Sequence, residues 1–133
     1  MRVYVASRYQ LPINNTVKNR LEEHGIDVFL PKDINVDAQT PEELQQVYQT
    51  CFQEIAQCCD VILFIYPFGL SVSAEFGAAA MLKFLGREKK LLLLNLSGEP
   101  ICKAEKEAMI RPAVDQVFSK LEDVVSYLAK LAE

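Results

Sequence analysis

The sequence is poor in metal ligands. It has one histidine, His24, and four cysteines, Cys51, Cys58, Cys59 and Cys102, none of them in a CxxC pair. That set does not assemble a structural zinc site, so neither metal nor cofactor is expected. The dinucleotide fingerprint GxGxxG and the P-loop GxxxxGK[ST] are both missing, which disfavours nicotinamide and ATP roles. No apolar run approaches the ~20 residues of a membrane span, so no membrane partner is expected. Fourteen basic against eighteen acidic residues give a net charge of −4, with no basic run. Such a chain has no electrostatic footprint for a nucleic-acid polymer, although a small phosphorylated ligand needs only a few local donors. Met1-Arg2 leads straight into a strand pattern, so no leader peptide is read there. The expectation is a cytoplasmic protein with reduced, buried thiols and no disulfide.

What is present is core. Half of the 133 residues are hydrophobic, and residues 1–133 read as one domain. The organising stretch runs from Cys59 to Gly86. Val61 to Ile65 is a continuous apolar run, suited to a parallel strand covered on both faces. Pro67 and Gly69 break it. Ser71 or Ser73 is placed to cap a helix running from Ala74 to Leu85, which Gly86 stops. Glu75 then falls in that helix's first turn, among Ala, Phe, Gly and Leu. Such a carboxylate can simply complement the helix dipole. It also lies at the carboxyl edge of a parallel sheet, where open α/β folds place ligands, and a carboxylate there can act as a nucleophile toward a sugar carbon.

Around this stretch, strand and helix patterns alternate. Arg2–Ala6 reads as a strand ending in Ser7-Arg8-Tyr9, and Leu11–His24 as a helix closed by Gly25. His24 reads as a surface residue at that helix end. Ile26–Leu30 is a second strand, followed by a polar loop over Lys32–Gln39. Thr40-Pro-Glu-Glu43 is a capping box opening a helix to about Gln57, with Leu44, Val47, Tyr48, Cys51, Ile55 and Cys58 on its apolar face. Lys90–Leu96 and Val114–Phe118 read as strands, and Ala104–Arg111 as a short helix. Ser119-Lys-Leu-Glu122 reads as a second capping box, before a helix facing inward through Leu121, Val124, Val125, Leu128 and Leu131. The alternation predicts a doubly wound α/β three-layer sandwich with a mostly parallel five-stranded sheet, flavodoxin- or Rossmann-like. The helix at Ala74–Leu85 is too apolar for one sheet to cover. Gly77 and Ala78–Ala80 allow a second helix close, which predicts a symmetric homodimer.

Val3-Tyr-Val-Ala6, Cys59-Asp-Val-Ile-Leu63 and Ser71-Val-Ser-Ala-Glu-Phe-Gly-Ala78 resemble the nucleoside 2-deoxyribosyltransferase family. The family includes the 2′-deoxynucleoside 5′-monophosphate N-glycosidases, and the likeness spans nearly the whole chain. The resemblance implies an enzyme that cleaves or transfers the N-glycosidic bond of a (deoxy)nucleoside or its monophosphate. It implies Glu75 as the nucleophile and Tyr4 as the hydrogen-bond donor that orients it. Ser7, Arg8, Gly69, Ser71 and Ser73 fall where substrate is held. Ala108-Met-Ile-Arg111 resembles the segment that a neighbouring subunit contributes, so Met109 and Arg111 are expected at a site shared across the dimer. Asp60 matches the family's strand Asp but starts its strand, on the edge away from the chemistry, and a structural role is expected. The family's helix acid, eight residues before that Asp, is Phe52 here. Gly69 stands where the monophosphate glycosidases tend to carry a phosphate-binding Ser, and Glu107 where their neighbour-subunit segment carries another. These departures keep a second expectation open, a non-catalytic nucleotide or sugar-nucleotide sensor on the same scaffold.

Overall fold

The computed structural model describes residues 1–8, 11–34 and 37–133. Tyr9, of the expected Ser7-Arg8-Tyr9 segment, and Asn35 and Val36, of the expected Lys32–Gln39 loop, lie outside the described residues. Among those described there are five strands, β1 (Arg2–Ala6), β2 (Asp27–Phe29), β3 (Val61–Tyr66), β4 (Lys90–Asn95) and β5 (Gln116–Phe118). They alternate with α1 (Ile13–Glu22), α2 (Pro41–Gln53), α3 (Leu70–Phe84), α4 (Lys103–Lys106) and α5 (Leu121–Leu131). The strands form one sheet in the order β2-β1-β3-β4-β5, and every pairing is parallel.

The pleat divides the core into two layers, because successive side chains along a strand point to opposite faces. Val3, Val5, Leu63, Ile65, Leu92 and Leu94 pack with Val17 and Leu21 of α1 and with Val124 and Leu128 of α5. Tyr4, Ala6, Ile62, Phe64 and Leu93 pack with Cys51 of α2 and with Val72, Phe76 and Ala79 of α3. Both layers are apolar, which is why β3 and β4 read as unbroken hydrophobic runs rather than alternating ones. From β1 the chain winds outward to β2, then returns to the other side of β1 as β3. The carboxyl ends of β1 and β3 therefore flank the point where the winding reverses, which is where this class of sheet opens a crevice.

Local signals explain most boundaries. Thr40 caps α2 with a complete capping box, and Pro41 occupies its first position. Gly25 (φ 73°) and Gly86 (φ 90°) take the left-handed conformation just beyond α1 and α3.

Several sequence expectations are corrected. α3 begins at Leu70, not Ala74, and its cap is Gly69 with extended backbone. Ser71 and Ser73 lie inside the helix, and the Ser73 hydroxyl donates back to the Gly69 carbonyl at 3.0 Å. Glu75 consequently sits in the second turn, beyond the first-turn position that would complement the dipole. The Ser119 capping box does not form. α5 starts at Leu121 after Lys120, without a side-chain cap. The expected helix over Ala104–Arg111 contracts to the four residues of α4, followed by a single 3₁₀ turn at Arg111–Ala113. α2 ends at Gln53 and its last turn widens to π geometry over Glu54–Cys58. Leu44 and Tyr48 of α2 and Leu131 of α5 are exposed rather than inward, and Cys58 is exposed while Cys51, Cys59 and Cys102 are buried. In each case apolar spacing marked a face correctly but could not say how much of it the sheet covers. Among the described residues no helix is long and apolar enough to cross a membrane.

Candidate active site

Tyr4 is the third residue of β1, and strand alternation sends its ring into the layer beneath α2 and α3. It pairs in register with Ile62 of β3 and Phe29 of β2, and its ring packs on Phe29 with centroids 5.2 Å apart. Glu75 reaches the same layer from α3. Its helical spacing puts it beneath Ser71 and Val72, one turn earlier. Tyr4 is fully buried and Glu75 is 6% exposed. The Tyr4 hydroxyl donates a hydrogen bond to Glu75 Oε2.

This pair sets the electrostatics. Burial pushes the Glu75 carboxyl up to about 7, and the bond from Tyr4 only partly offsets it. The Tyr4 hydroxyl is raised as well, first by burial and then by the Glu75 charge. Tyr4 therefore keeps its proton throughout the ordinary pH range, and Glu75 is the group that titrates.

A cavity of about 610 Å³ is lined by Ser7, Arg8, Leu11, Gly69, Leu70, Ser71 and Val72. It lies between the carboxyl end of β1 and the start of α3, at the winding reversal. Ser7 is buried. The Asn14 side-chain amide donates to the Arg8 carbonyl at 2.9 Å, tying the segment after β1 to α1. A side chain at Gly69 would place its Cβ 3.2 Å from Cγ and Cδ of Arg8. The glycine thus leaves room for the Arg8 stem, besides opening the helix.

A second cavity of about 670 Å³ lies on the other flank of α3. Phe68, Phe76, Met81, Phe84, Met109 and Ile110 give it an apolar wall, and Ser73 lies at its rim. Phe68 packs against Phe64, Tyr66 and Phe76 in tilted or edge-on geometry, at centroid distances of 6.2, 5.6 and 6.0 Å.

Within the chain, the expected site residues fall into two groups. Ser7, Arg8, Gly69 and Ser71 come together at the first cavity. Ser73 and Met109 line the second cavity, and the exposed Arg111 donates to the Val114 carbonyl at 3.1 Å. Neither cavity has Tyr4 or Glu75 in its lining. Phe52 packs on Tyr48 at 4.8 Å. Its neighbour Glu54 points to the opposite edge of the sheet, where it receives two bonds from the Arg2 guanidinium at 2.9 and 3.0 Å. Asp60 sits at that same edge, with its backbone N–H on the Arg2 carbonyl and its own carbonyl accepting from Lys90. Cys51, which spacing marked as apolar face, is buried in the same cluster as Tyr4. Sequence reasoning missed the Arg2–Glu54 pair, whose members are 52 residues apart.

No protein-family model and no curated protein matches the chain. Solved structures do. A 2-deoxyribosyltransferase from the psychrotolerant bacterium Bacillus psychrosaccharolyticus superposes with a TM-score of 0.78 at 22% identity, over 96% of this chain and 92% of that one. A response regulator from Thermotoga maritima gives 0.56 at 13% identity, over 98% and 95%. The receiver domain of the Francisella response regulator 1452 gives 0.54 at 18% identity, over 99% and 98%. These likenesses establish the fold, the doubly wound parallel α/β sandwich.

Proposed function

We propose that the chain cleaves or transfers the N-glycosidic bond of a (deoxy)nucleoside or nucleoside monophosphate, with Glu75 as the nucleophile. The observation that carries this reading is a buried carboxylate held, among the described residues, by a single neutral donor, Tyr4, at the carboxyl side of the sheet. The higher-scoring structural likeness, to a 2-deoxyribosyltransferase, supports it. In this reading ionised Glu75 attacks the anomeric carbon. The C–N bond breaks, its electron pair leaves with the base, and the base takes a proton from solvent. Water or a second base then displaces Glu75 from the sugar, as in the two-step logic of retaining glycosidases. Tyr4 keeps the carboxylate oriented before attack. Ser7, Arg8, Ser71 and the free amides at the start of α3 hold a sugar hydroxyl or a phosphate.

The reading includes a homodimer, with Ser73, Met109 and Arg111 serving a site completed by the second copy. Leu70, Met81, Phe84, Leu85 and Met109 are all exposed, which leaves the outer stripe of α3 and its neighbouring loop apolar and uncovered. Light scattering at micromolar concentration reports a dimer on this reading, and a monomer removes the shared site.

The central test is chromatographic. Nucleosides and their monophosphates are incubated with the protein, with and without an acceptor base, and free or exchanged base is quantified. Base release that vanishes in Glu75→Gln supports the assignment, and equal release by parent and variant ends it. A second reading is a non-catalytic nucleotide or sugar-nucleotide binder. It draws on Phe52 in the place of an acid and on Glu75 lining neither cavity. Calorimetric binding without base release selects it.

A further inference from the structure

We infer that Asn95 is a positioning residue, whose side-chain amide fixes the loop after β4 and so holds residues 108–111 in the shape they present to a second copy of the chain. The inference rests on the reading above, in which Met109 and Arg111 serve a site completed by that copy, and it adds the group that holds them. Asn95 ends β4 at the carboxyl edge of the sheet, in register with Tyr66 of β3. It follows a run of four buried leucines and is itself only 5% exposed.

A buried amide costs free energy unless both of its ends are bonded, and here both are. Nδ2 of Asn95 donates to the Glu99 carbonyl at 2.9 Å and to Glu105 Oε1 at 3.3 Å. Its Oδ1 accepts from the Ser97 N–H at 3.0 Å and from the Ser97 hydroxyl at 2.6 Å. A backbone donor on one side and a backbone acceptor on the other fix which way the amide faces. Glu105 Oε1 also accepts from the Cys102 N–H at 3.3 Å and from the Cys102 thiol at 3.6 Å. One side chain therefore joins the end of β4, the loop after it and the first turn of α4. A satisfied buried network of this kind specifies one arrangement, because any other leaves a member unpaired.

The chain beyond α4 is tied down again at its far end. Lys83 of α3 donates to the Ala113 carbonyl at 2.9 Å and to Asp115 at 2.7 Å. Between the two anchorages, the Ile110 and Arg111 N–H groups close on the Glu107 carbonyl at 3.1 and 2.9 Å. Met109 and Ile110 of this turn line the second cavity, yet Met109 is 84% exposed. Burial within the chain thus does little to place Met109, and its position depends on the anchorages on either side. The Lys83–Asp115 pair is about one-third exposed and screened by solvent. The Asn95 amide is buried, and is the firmer of the two.

The test has two arms. In the first, the full chain with ¹³C-methyl methionine gives three signals by NMR, from Met1, Met81 and Met109. Asn95→Ala and Glu105→Ala break the network from its two sides. Each moves the Met109 signal toward its unfolded-chain position and leaves that of Met1, at the other edge of the sheet, in place. Glu105→Gln keeps an oxygen acceptor and returns the Met109 signal to the parent position. An unmoved Met109 signal overturns the inference. So does a Met1 signal that moves with it, since a general disturbance of the fold then accounts for both. In the second arm, Asn95→Ala and Glu75→Gln chains carrying different affinity tags are co-expressed, and the heterodimer is isolated. Alone, each variant lowers kcat/KM about tenfold or more, Asn95→Ala through KM. The heterodimer has one site with an intact Glu75 and an intact segment from the other copy, so it recovers about half of the parent rate. A heterodimer no more active than the two variants, or none formed, overturns the inference. Glu105→Ala, at a half-buried position, replaces Asn95→Ala in this arm should the latter not fold. A parent that releases no base from any nucleoside or nucleotide, with the methionine signals moving as expected, upholds the anchorage and defeats the glycosidic reading.

Discussion

Two carboxylates, Glu75 buried and Glu54 half-buried, lie at opposite ends of the same layer, and they have been given opposite surroundings. Glu54, at the amino edge, receives both arms of the Arg2 guanidinium, and Arg2 also holds Asp27. Glu75, at the carboxyl edge, has only the Tyr4 hydroxyl among the described residues. Each has a buried cysteine nearby. Cys59 donates to Glu54 at 3.5 Å, and Cys51 lies in the same buried cluster as Tyr4. The difference is the charge of the partner. A guanidinium neutralises a carboxylate and ties it permanently to the fold. A neutral hydroxyl orients one without satisfying its charge, so the group stays near its titration midpoint and available for chemistry. Glu54 is therefore read as architecture and Glu75 as the reacting group.

The sharpest way to break this contrast is to remove each carboxylate in turn. Glu75→Gln is expected to lower base release by about 10³-fold or more, while the protein remains folded. Quantified free base, with a thermal melt as control, checks it. Glu54→Gln is expected to leave base release within about twofold of the parent, because it stands at the far edge. An activity loss in Glu54→Gln as large as that in Glu75→Gln would erase the distinction.

The pH profile is the next largest effect. On the proposed reading Glu75 attacks as the carboxylate, and its carboxyl is raised from 4.5 to about 7. kcat/KM is therefore expected to fall about tenfold per pH unit below pH 7. Stability runs the other way. The folded state holds the Glu75 proton over a range where the unfolded chain has released it, so the stabilisation present below pH 4.5 is lost as pH rises through about 7. The loss is of order 3 kcal/mol, and Glu75→Gln should flatten it. Urea midpoints at pH 5 and pH 8 measure the difference between the two proteins.

Glu54→Gln should cost stability instead. The Arg2 side chain is about one-third exposed, so solvent screens the pair and the loss is roughly 1–2 kcal/mol. A urea melt with unchanged slope reads it. The smallest effect is expected from Gly69→Ala. The added methyl presses on the flexible Arg8 stem, so stability changes by no more than ~0.5 kcal/mol. Any effect falls on KM, and more strongly for a monophosphate than for its nucleoside.

Much of the scaffold was legible. The apolar runs at Val61–Ile65 and Lys90–Leu96 read as buried strands, and the Thr40 capping box marked the start of α2 to the residue. Glu75 stood out as an acid in an apolar helix. The start of α3 was misread because Ser71 and Ser73 are good cap residues, whereas the extended Gly69 takes the position. The short α4 was overextended for a similar reason. Ala104–Arg111 has helical composition, but Glu107 turns to extended backbone and ends the helix after Lys106. Arg2 and Glu54 carried no sign of their pairing, since a charged residue beside a strand and another on a helix look alike whether solvated or bonded.

The sequence by itself determined the elements, their order and the edge of the sheet on which Glu75 would lie, because periodicity, caps and breakers act over a few residues. The tertiary structure alone decided which carboxylate meets a guanidinium and which meets a hydroxyl. Tyr4 and Glu75 are 71 residues apart and meet only because β1 lies beside β3 and under α3. Burial, which raises the Glu75 carboxyl, is a property of that packing and of no local stretch of chain.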